Sequence, residues 1–345
     1  MTFYTRNIET LDIEPSSFCN ARCPQCLRES KDGDYSFFNQ TNLTDTFFEV
    51  YFPKDVASKL KRISFSGNIG EPAMNKHLLN ILRWFKNHNP NVKFEIYTNG
   101  SVQKPDWWRE LGEVIGDNSK VIFAIDGLED TNSIYRIGVK WDQLIANVKE
   151  YIKTGSTAVW QFIPFEHNEH QILAAEHLSQ ELNFKEFKLK ISHRDLLNQT
   201  QNQKNKVYPA KNPLYRHEGQ KLDFINLDRT EQYLNNLKID CFAISNSNLY
   251  ISADGLVFPC CHTASIPLLD EKFIPEPYHW IKNVKDNFDF EEISLYKNTL
   301  DQIINSKTFR KIKDSWGTTM NQGKNPICAA ICGKCDNSNS LKDFL

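Results

Sequence analysis

The sequence has almost no net charge: 41 Lys and Arg stand against 43 Asp and Glu over 345 residues, a balance of -2, with the two signs interspersed. Without a basic stripe nothing electrostatic attracts a phosphate backbone, so no nucleic-acid partner is expected. Long apolar runs are missing as well. No segment approaches the ~20 apolar residues that span a bilayer, and the opening stretch Met1 to Asn7 holds no apolar run of signal-peptide length. No membrane partner is therefore expected, and the expected localisation is cytoplasmic. No internal repeat of fixed period stands out. Against this plain background there are nine cysteines, in the groups 19/23/26, 241/260/261 and 328/332/335. An odd number suits disulfides poorly in a reducing compartment, and grouped cysteines there point to metal.

Cys19, Cys23 and Cys26 sit on one short loop just after the strand-like run Glu9 to Ile13. Three thiolates can hold three corners of a four-iron, four-sulfur cluster, because such clusters take cysteine ligands. The fourth iron would then lack a protein ligand, and an open metal position is what separates a catalytic site from a closed structural one. On the triplet alone, zinc binding and a disulfide stay open as alternatives.

Apolar or β-branched runs at Thr10 to Ile13, Ile63 to Ser66, Phe94 to Thr98, Val121 to Ile125, Ala158 to Ile163 and Phe187 to Ile191 predict six strands. They alternate with amphipathic stretches at His77 to Lys86, Pro105 to Ile115, Trp141 to Lys153 and His170 to Leu182. Alternation of this kind predicts an α/β fold with a parallel sheet and helices outside it. In the third stretch Leu144, Ile145, Val148, Tyr151 and Ile152 share one face. The polar, aperiodic segment Asn198 to Asn205 reads as a loop or linker. Length allows two domains, and the expected division is 1–200 and 201–345.

In a barrel or partial barrel, reactive groups belong at the carboxyl ends of the strands. The cysteine loop follows the first strand, Gly67 to Pro72 the second, Asn99-Gly100 the third, and Asp126-Gly127 ends the fourth. Gly67 and Gly70 let the backbone approach a ligand, and Glu71 offers an anionic acceptor suited to an α-ammonium group. A plain strand-to-helix turn is the alternative for that loop. Gln161 and Asn168 bring polar side chains into an apolar context, as core hydrogen-bonders or as contacts to a cofactor or substrate.

The C-x3-C-x2-C spacing of Cys19, Cys23 and Cys26 resembles the signature of the radical SAM enzymes. The resemblance implies a partial TIM-type (β/α)6 barrel and a [4Fe-4S] cluster whose open iron chelates S-adenosyl-L-methionine. It also implies an electron-donating partner such as a flavodoxin or ferredoxin, and a 5′-deoxyadenosyl radical that takes hydrogen from substrate. Gly70-Glu71-Pro72 matches the second half of the family's Gly-Gly-Glu-Pro turn, which binds the methionine amino group. Asn68 and Ile69 make this loop one residue longer than the usual form. Tyr97 to Gly100 is similar to the third-strand end near the nucleoside, which brings in Asn99. The segment from Phe123 through Asp126 to Arg136 looks like the family's Ser-Ile-Asp-Gly stretch with its following arginine. Arg136 is then expected to pair with the cofactor carboxylate, a task that suits a planar guanidinium. Ala124 replaces the serine that often contacts ribose, so Asp126 or Asn99 would compensate, and Gln161 joins the expected cofactor contacts. Gln25 stands where many members carry an aromatic residue, leaving adenine to Phe18 or to backbone atoms.

Farther on, Leu249 to Cys261 predicts a hairpin turning at Asp254-Gly255, a geometry that can bring Cys241 and Cys260 together. The spacing from Cys241 to Gly255 to Cys260 resembles the entry half of a SPASM domain. Too few cysteines follow for two auxiliary clusters, so a one-cluster twitch form fits better. The expected ligands of one auxiliary [4Fe-4S] cluster are Cys241, Cys260, Cys332 and Cys335, with Cys328 a competitor and Cys261 a spare. Structural zinc is the alternative, since C-x2-C pairs also bind zinc.

The expected function is a radical SAM oxidoreductase or peptide-modifying enzyme that dehydrogenates, epimerises or crosslinks a peptide or small-molecule substrate. Alternatives are methyl transfer or rearrangement, and a metal-binding scaffold without turnover. The barrel begins within about ten residues of Met1, so any reader of a leader peptide is expected to be a separate chain. His193, Arg194 and Asp195, after the sixth strand, are further residues for substrate contact. No general acid, base or other catalytic side chain is assigned.

Overall fold

Six short apolar runs become parallel strands: β1 (Thr10–Ile13), β2 (Arg62–Phe65), β3 (Lys93–Thr98), β4 (Lys120–Ala124), β5 (Thr157–Phe162) and β6 (Glu186–Leu189). The structure is a computed structural model that describes residues 8–31, 33–192, 206–215, 227–268 and 288–334. The helices Leu78–His88, Pro105–Ile115, Trp141–Ile152 and Ile172–Glu181 fill the intervals between successive strands from β2 to β6. Right-handed crossover of such strand–helix units places helices on the sheet's apolar face.

Register separates the two faces of the sheet, because alternate residues of a strand point to opposite sides. Leu11, Ile13, Ile63, Phe65, Phe94, Val121, Phe123, Trp160 and Phe162 are fully buried. They form the layer over which the helices pack: Phe123 meets Trp108 at 5.3 Å and Tyr151 at 5.7 Å between ring centroids. The opposite face aligns Asp12, Ser64, Glu95 and Lys120 across β1 to β4. Here Glu95 accepts ion pairs from Arg62 at 3.2 Å and Lys120 at 2.9 Å. One face is thus hydrocarbon and the other a polar floor, the division that a chamber open to polar ligands requires.

The carboxyl-terminal region adds β7 (Lys238–Ile239), β8 (Asn248–Ile251), β9 (Val257–Phe258) and β10 (Gly333–Lys334). β8 and β9 form an antiparallel hairpin, and Gly255 takes the positive φ of 78° that its turn requires. The sequence reading placed this hairpin in a separate second domain. In the structure β8 lies parallel to β1, with Asp12 opposite Tyr250, so the sheet runs β6-β5-β4-β3-β2-β1-β8-β9. Side chains seal the join: Thr10 Oγ1 donates to Asn248 Oδ1 at 2.8 Å, and Asn248 Nδ2 donates to Asp12 at 2.9 Å. The proposed boundary at Asn198 to Asn205 lies outside the described residues, as do His193, Arg194 and Asp195.

Candidate functional site

The loop after β1 carries Cys19, Cys23 and Cys26. Cys23 is buried and the other two are half-buried. Burial pushes the Cys23 thiol up to about 11 despite the nearby Arg136 guanidinium. Burial, reinforced by Glu71, Cys23 and Cys26, raises Cys19 farther still. A metal centre reverses that preference, because a coordinating thiol gives up its proton outright. Among the described residues no cysteine is in a disulfide, and no three His, Cys, Asp or Glu side chains close on a point as ligands of one ion do.

Around this loop the strand ends are tied to it by hydrogen bonds. Glu71 is buried, and its carboxylate accepts from Thr98 Oγ1 at 2.6 Å, Asn99 N–H at 2.7 Å and Ala73 N–H at 3.1 Å. Its own N–H donates to Phe18 O at 2.8 Å. Burial raises the Glu71 carboxyl, and these three donors oppose the shift. A carboxylate offers about four acceptor positions, so three are already committed to shaping the turn. Asn99 Nδ2 donates to Asn20 Oδ1 at 2.8 Å, and Asn20 Nδ2 donates to Ser101 Oγ at 2.8 Å. Asn20 is not among the residues expected from sequence, and its place directly after Cys19 is the one signal the sequence offers.

Asp126 and Arg136 make the most enclosed ion pair of the site. Arg136 Nε donates to Asp126 Oδ2 at 2.6 Å, while Asp126 Oδ1 accepts from Ile163 N–H at 2.6 Å. Arg136 Nη1 points at Cys23 Sγ, 3.6 Å away. Burial works against the guanidinium's charge, but Asp126 and the Cys23 sulfur together keep it firmly charged. Arg136 is thus aimed by Asp126 and faces the cysteine loop, with donors left over for a ligand carboxylate. Gln161 is half-buried on β5, opposite Ala124 of β4 and on the polar side of the sheet. Of the two roles open to Asn168 the structure shows that of a core hydrogen-bonder: its side chain binds Asp126 O, Ile163 O and Phe165 N–H, and it holds the loop after β5. Gln25 is buried, and its Oε1 accepts from Ser192 Oγ at 3.3 Å.

Gly70 has a reason for being glycine that the sequence reading did not give. A methyl group there would run into the Ser16 carbonyl, so the residue lets the loop after β2 lie flat on the chain entering the cysteine loop.

The second constellation forms where the carboxyl-terminal helix docks. β10 pairs with β7, Gly333 opposite Ile239, and Asp240 N–H donates to Cys332 O at 2.9 Å. This sets Cys332 beside Cys241, and their sulfurs share a hydrogen bond that lowers Cys332 and raises Cys241. Cys328, one turn earlier on the helix Pro326–Cys332, falls on the same face. Cys241, Cys260, Cys328 and Cys332 line a single pocket with Phe242 and Trp316. The structure therefore places Cys328 among the thiols around the pocket; Cys335 lies outside the described residues. Cys261 is not part of the lining, and its sulfur feels Asp12 on the polar floor of the sheet. Replacing Cys328 by serine is expected to lower iron per chain after anaerobic reconstitution, while Cys261→Ser leaves it unchanged; iron and sulfide assays on both variants check this.

Residues 241–336 match the SPASM family, described as an iron-sulfur cluster-binding domain. The chain also shares the fold of several solved structures at low sequence identity. SuiB of Streptococcus suis bound to its precursor peptide SuiA is 15% identical with a TM-score of 0.52 over 80% of this chain. The match spans 65% of SuiB, under two thirds of its length. Native anSMEcpe with bound AdoMet and the Cp18Cys peptide is 14% identical with a TM-score of 0.54, covering 97% of this chain and 92% of that one. The same protein with AdoMet and the Kp18Cys peptide gives 16% and 0.53, over 95% and 91%. No curated protein matches the chain. Cys241, Cys260, Cys328 and Cys332, which line the pocket, all fall within the matched region. Among the described residues no helix is long and apolar enough to cross a membrane.

Proposed function

We propose that the chain is a radical SAM enzyme that removes hydrogen from a peptide or protein substrate, with the SPASM pocket holding one auxiliary iron-sulfur cluster. The observation that carries this reading is the placing of Arg136 between Asp126 and Cys23, at the mouth of a sheet whose inner face is polar. When bound, the cluster and S-adenosylmethionine supply a 5′-deoxyadenosyl radical. The protein's share is to bind and orient. Cys19, Cys23 and Cys26 hold the amino-terminal cluster. The remaining Arg136 donors take the cofactor carboxylate, and the one acceptor position left on Glu71, beside the Gly70 backbone, takes its ammonium group. Asn99 and Asp126 fix the strand ends on which these groups stand, and Gln161 faces the cofactor from β5. The auxiliary cluster takes four thiolates, drawn from Cys241, Cys260, Cys328 and Cys332 of the pocket and from Cys335. The polar floor of Asp12, Ser64, Glu95 and Lys120 accommodates the peptide's amide groups.

Two relatives of this fold carry peptides in their structures, SuiB its precursor peptide and anSMEcpe the Cp18Cys and Kp18Cys peptides, and this supports a peptide over a small molecule. An electron donor such as a flavodoxin or ferredoxin starts the cycle. The test is anaerobic reconstitution followed by dithionite and S-adenosylmethionine: the parent is expected to release 5′-deoxyadenosine and Cys23→Ala to release none. Peptides deuterated at Cα or Cβ then report which position yields labelled 5′-deoxyadenosine. A loaded parent that never cleaves S-adenosylmethionine makes the protein a cluster-binding scaffold, and a methylated product moves it to the methyl-transfer class.

A further inference from the structure

The loop Gly67–Pro72 is one residue longer than the turn it resembles, and the structure shows what the longer loop touches. Asn68 Nδ2 donates to Cys261 O at 2.8 Å, across 193 residues of sequence, next to Cys260 of the auxiliary pocket. The Asn68 backbone N–H sits against the Tyr250 hydroxyl. That hydroxyl in turn donates to Glu14 Oε2 at 2.7 Å. The other oxygen, Glu14 Oε1, accepts from Ile69 N–H at 2.8 Å and Gly70 N–H at 3.0 Å. Glu14 is 3% exposed, and all of these partners are themselves fixed in strands or in the loop. Glu71, the next residue along, is anchored at its N–H to Phe18 of the cysteine loop. The loop is therefore held on one side by the cysteine loop and on the other by the β8 hairpin and the residue after Cys260.

We infer that Asn68, with Glu14 and Tyr250, is a positioning device that makes the S-adenosylmethionine loop depend on the auxiliary-cluster site. The inference rests on the function proposed above. Ligands at Cys260 fix the start of the short helix Cys261–Ser265. The Cys261 carbonyl is the first group of that helix, so its position passes through the Asn68 side chain to the backbone that presents Gly70 and Glu71. Both faces of the link are directional hydrogen bonds between buried or half-buried groups, which transmit a small displacement better than an exposed contact does. Linkage makes the effect reciprocal: whatever the filled auxiliary site gives to cofactor binding, bound cofactor gives back to the auxiliary site.

The experiment is a double-mutant cycle read by anaerobic calorimetry of S-adenosylmethionine binding to reconstituted protein. It is accompanied by the electron paramagnetic resonance shift that the cofactor induces in the reduced amino-terminal cluster. Asn68→Ala is expected to weaken binding by about tenfold at unchanged iron in the amino-terminal site, within the range of ordinary coupling between sites. Cys260→Ala, which breaks the auxiliary site, is expected to weaken it similarly, and the double variant no more than either alone, as two cuts in one path require. Tyr250→Phe keeps the ring and removes only the hydroxyl, so it carries the same expectation without a packing defect. Unchanged affinity in Asn68→Ala and Tyr250→Phe, or strictly multiplicative losses in the double variant, would overturn the inference and leave the proposed function standing. A loaded parent that binds no S-adenosylmethionine overturns both.

Discussion

Gly70→Ala is expected to abolish S-adenosylmethionine binding and to destabilise the chain by about 1–3 kcal/mol or more, the cost of forcing a methyl group into filled space. The neighbour it meets is the Ser16 carbonyl, and the next nearest atoms are backbone as well. A flexible side chain could swing aside, but here either the loop after β2 or the entry to the cysteine loop has to move. Both carry the site, so the structural cost and the functional cost fall together. Gly317→Ala is the control, since nothing lies within 4 Å of a methyl group built there. Urea unfolding and calorimetric cofactor titration of the two variants measure the contrast, and a Gly70→Ala protein with parental stability and affinity would show that the loop has slack the structure does not show.

Arg136→Met is the second large effect. It leaves the Asp126 carboxylate, which is wholly buried, without its cation. Removing one partner of a buried pair costs about 3–5 kcal/mol, because the charge left behind is unpaired. Asp126 does retain the Ile163 N–H, which places the expectation toward the lower end of that range. Restoring neutrality with the double variant Arg136→Met/Asp126→Asn is expected to recover part of the stability but none of the turnover, since the group facing Cys23 is still missing. Arg136→Lys is no substitute: an ammonium is a point charge and cannot address Asp126 and Cys23 through separate donors of one planar group. Chemical denaturation separates the stability effect, and iron content of the amino-terminal site tests whether Arg136 also steadies the cysteine loop.

How much of this could be read from the chain differs by region, for physical reasons. The six parallel strands were legible to within a few residues because buried strands are short apolar runs bounded by breakers, as Phe94 to Thr98 and Ala158 to Ile163 are. The Asp254-Gly255 hairpin was legible from its turn pair. The parallel seating of β8 on β1 was not: a hairpin signal is local and says nothing of which distant edge will accept it. Glu14 carries no signal of its own in the sequence, since a glutamate is ordinarily exposed and its burial depends on donors from Ile69, Gly70 and Tyr250 that are remote in sequence. Cys328 is legible as a competing ligand, but its place beside Cys260 follows from the pairing of β10 with β7 rather than from any spacing among cysteines.

The seating of β8 on β1 has a consequence for biosynthesis. β1 leaves the ribosome well before β8, and one of its edges is satisfied by that strand 238 residues downstream. At ~5–20 residues per second that edge stays bare for on the order of 10–50 s, and a bare parallel edge is an invitation to pair with another chain. The nascent sheet must therefore be shielded, or must form late, and fragments that stop short of Asn248 should be recovered as aggregates rather than as a free barrel.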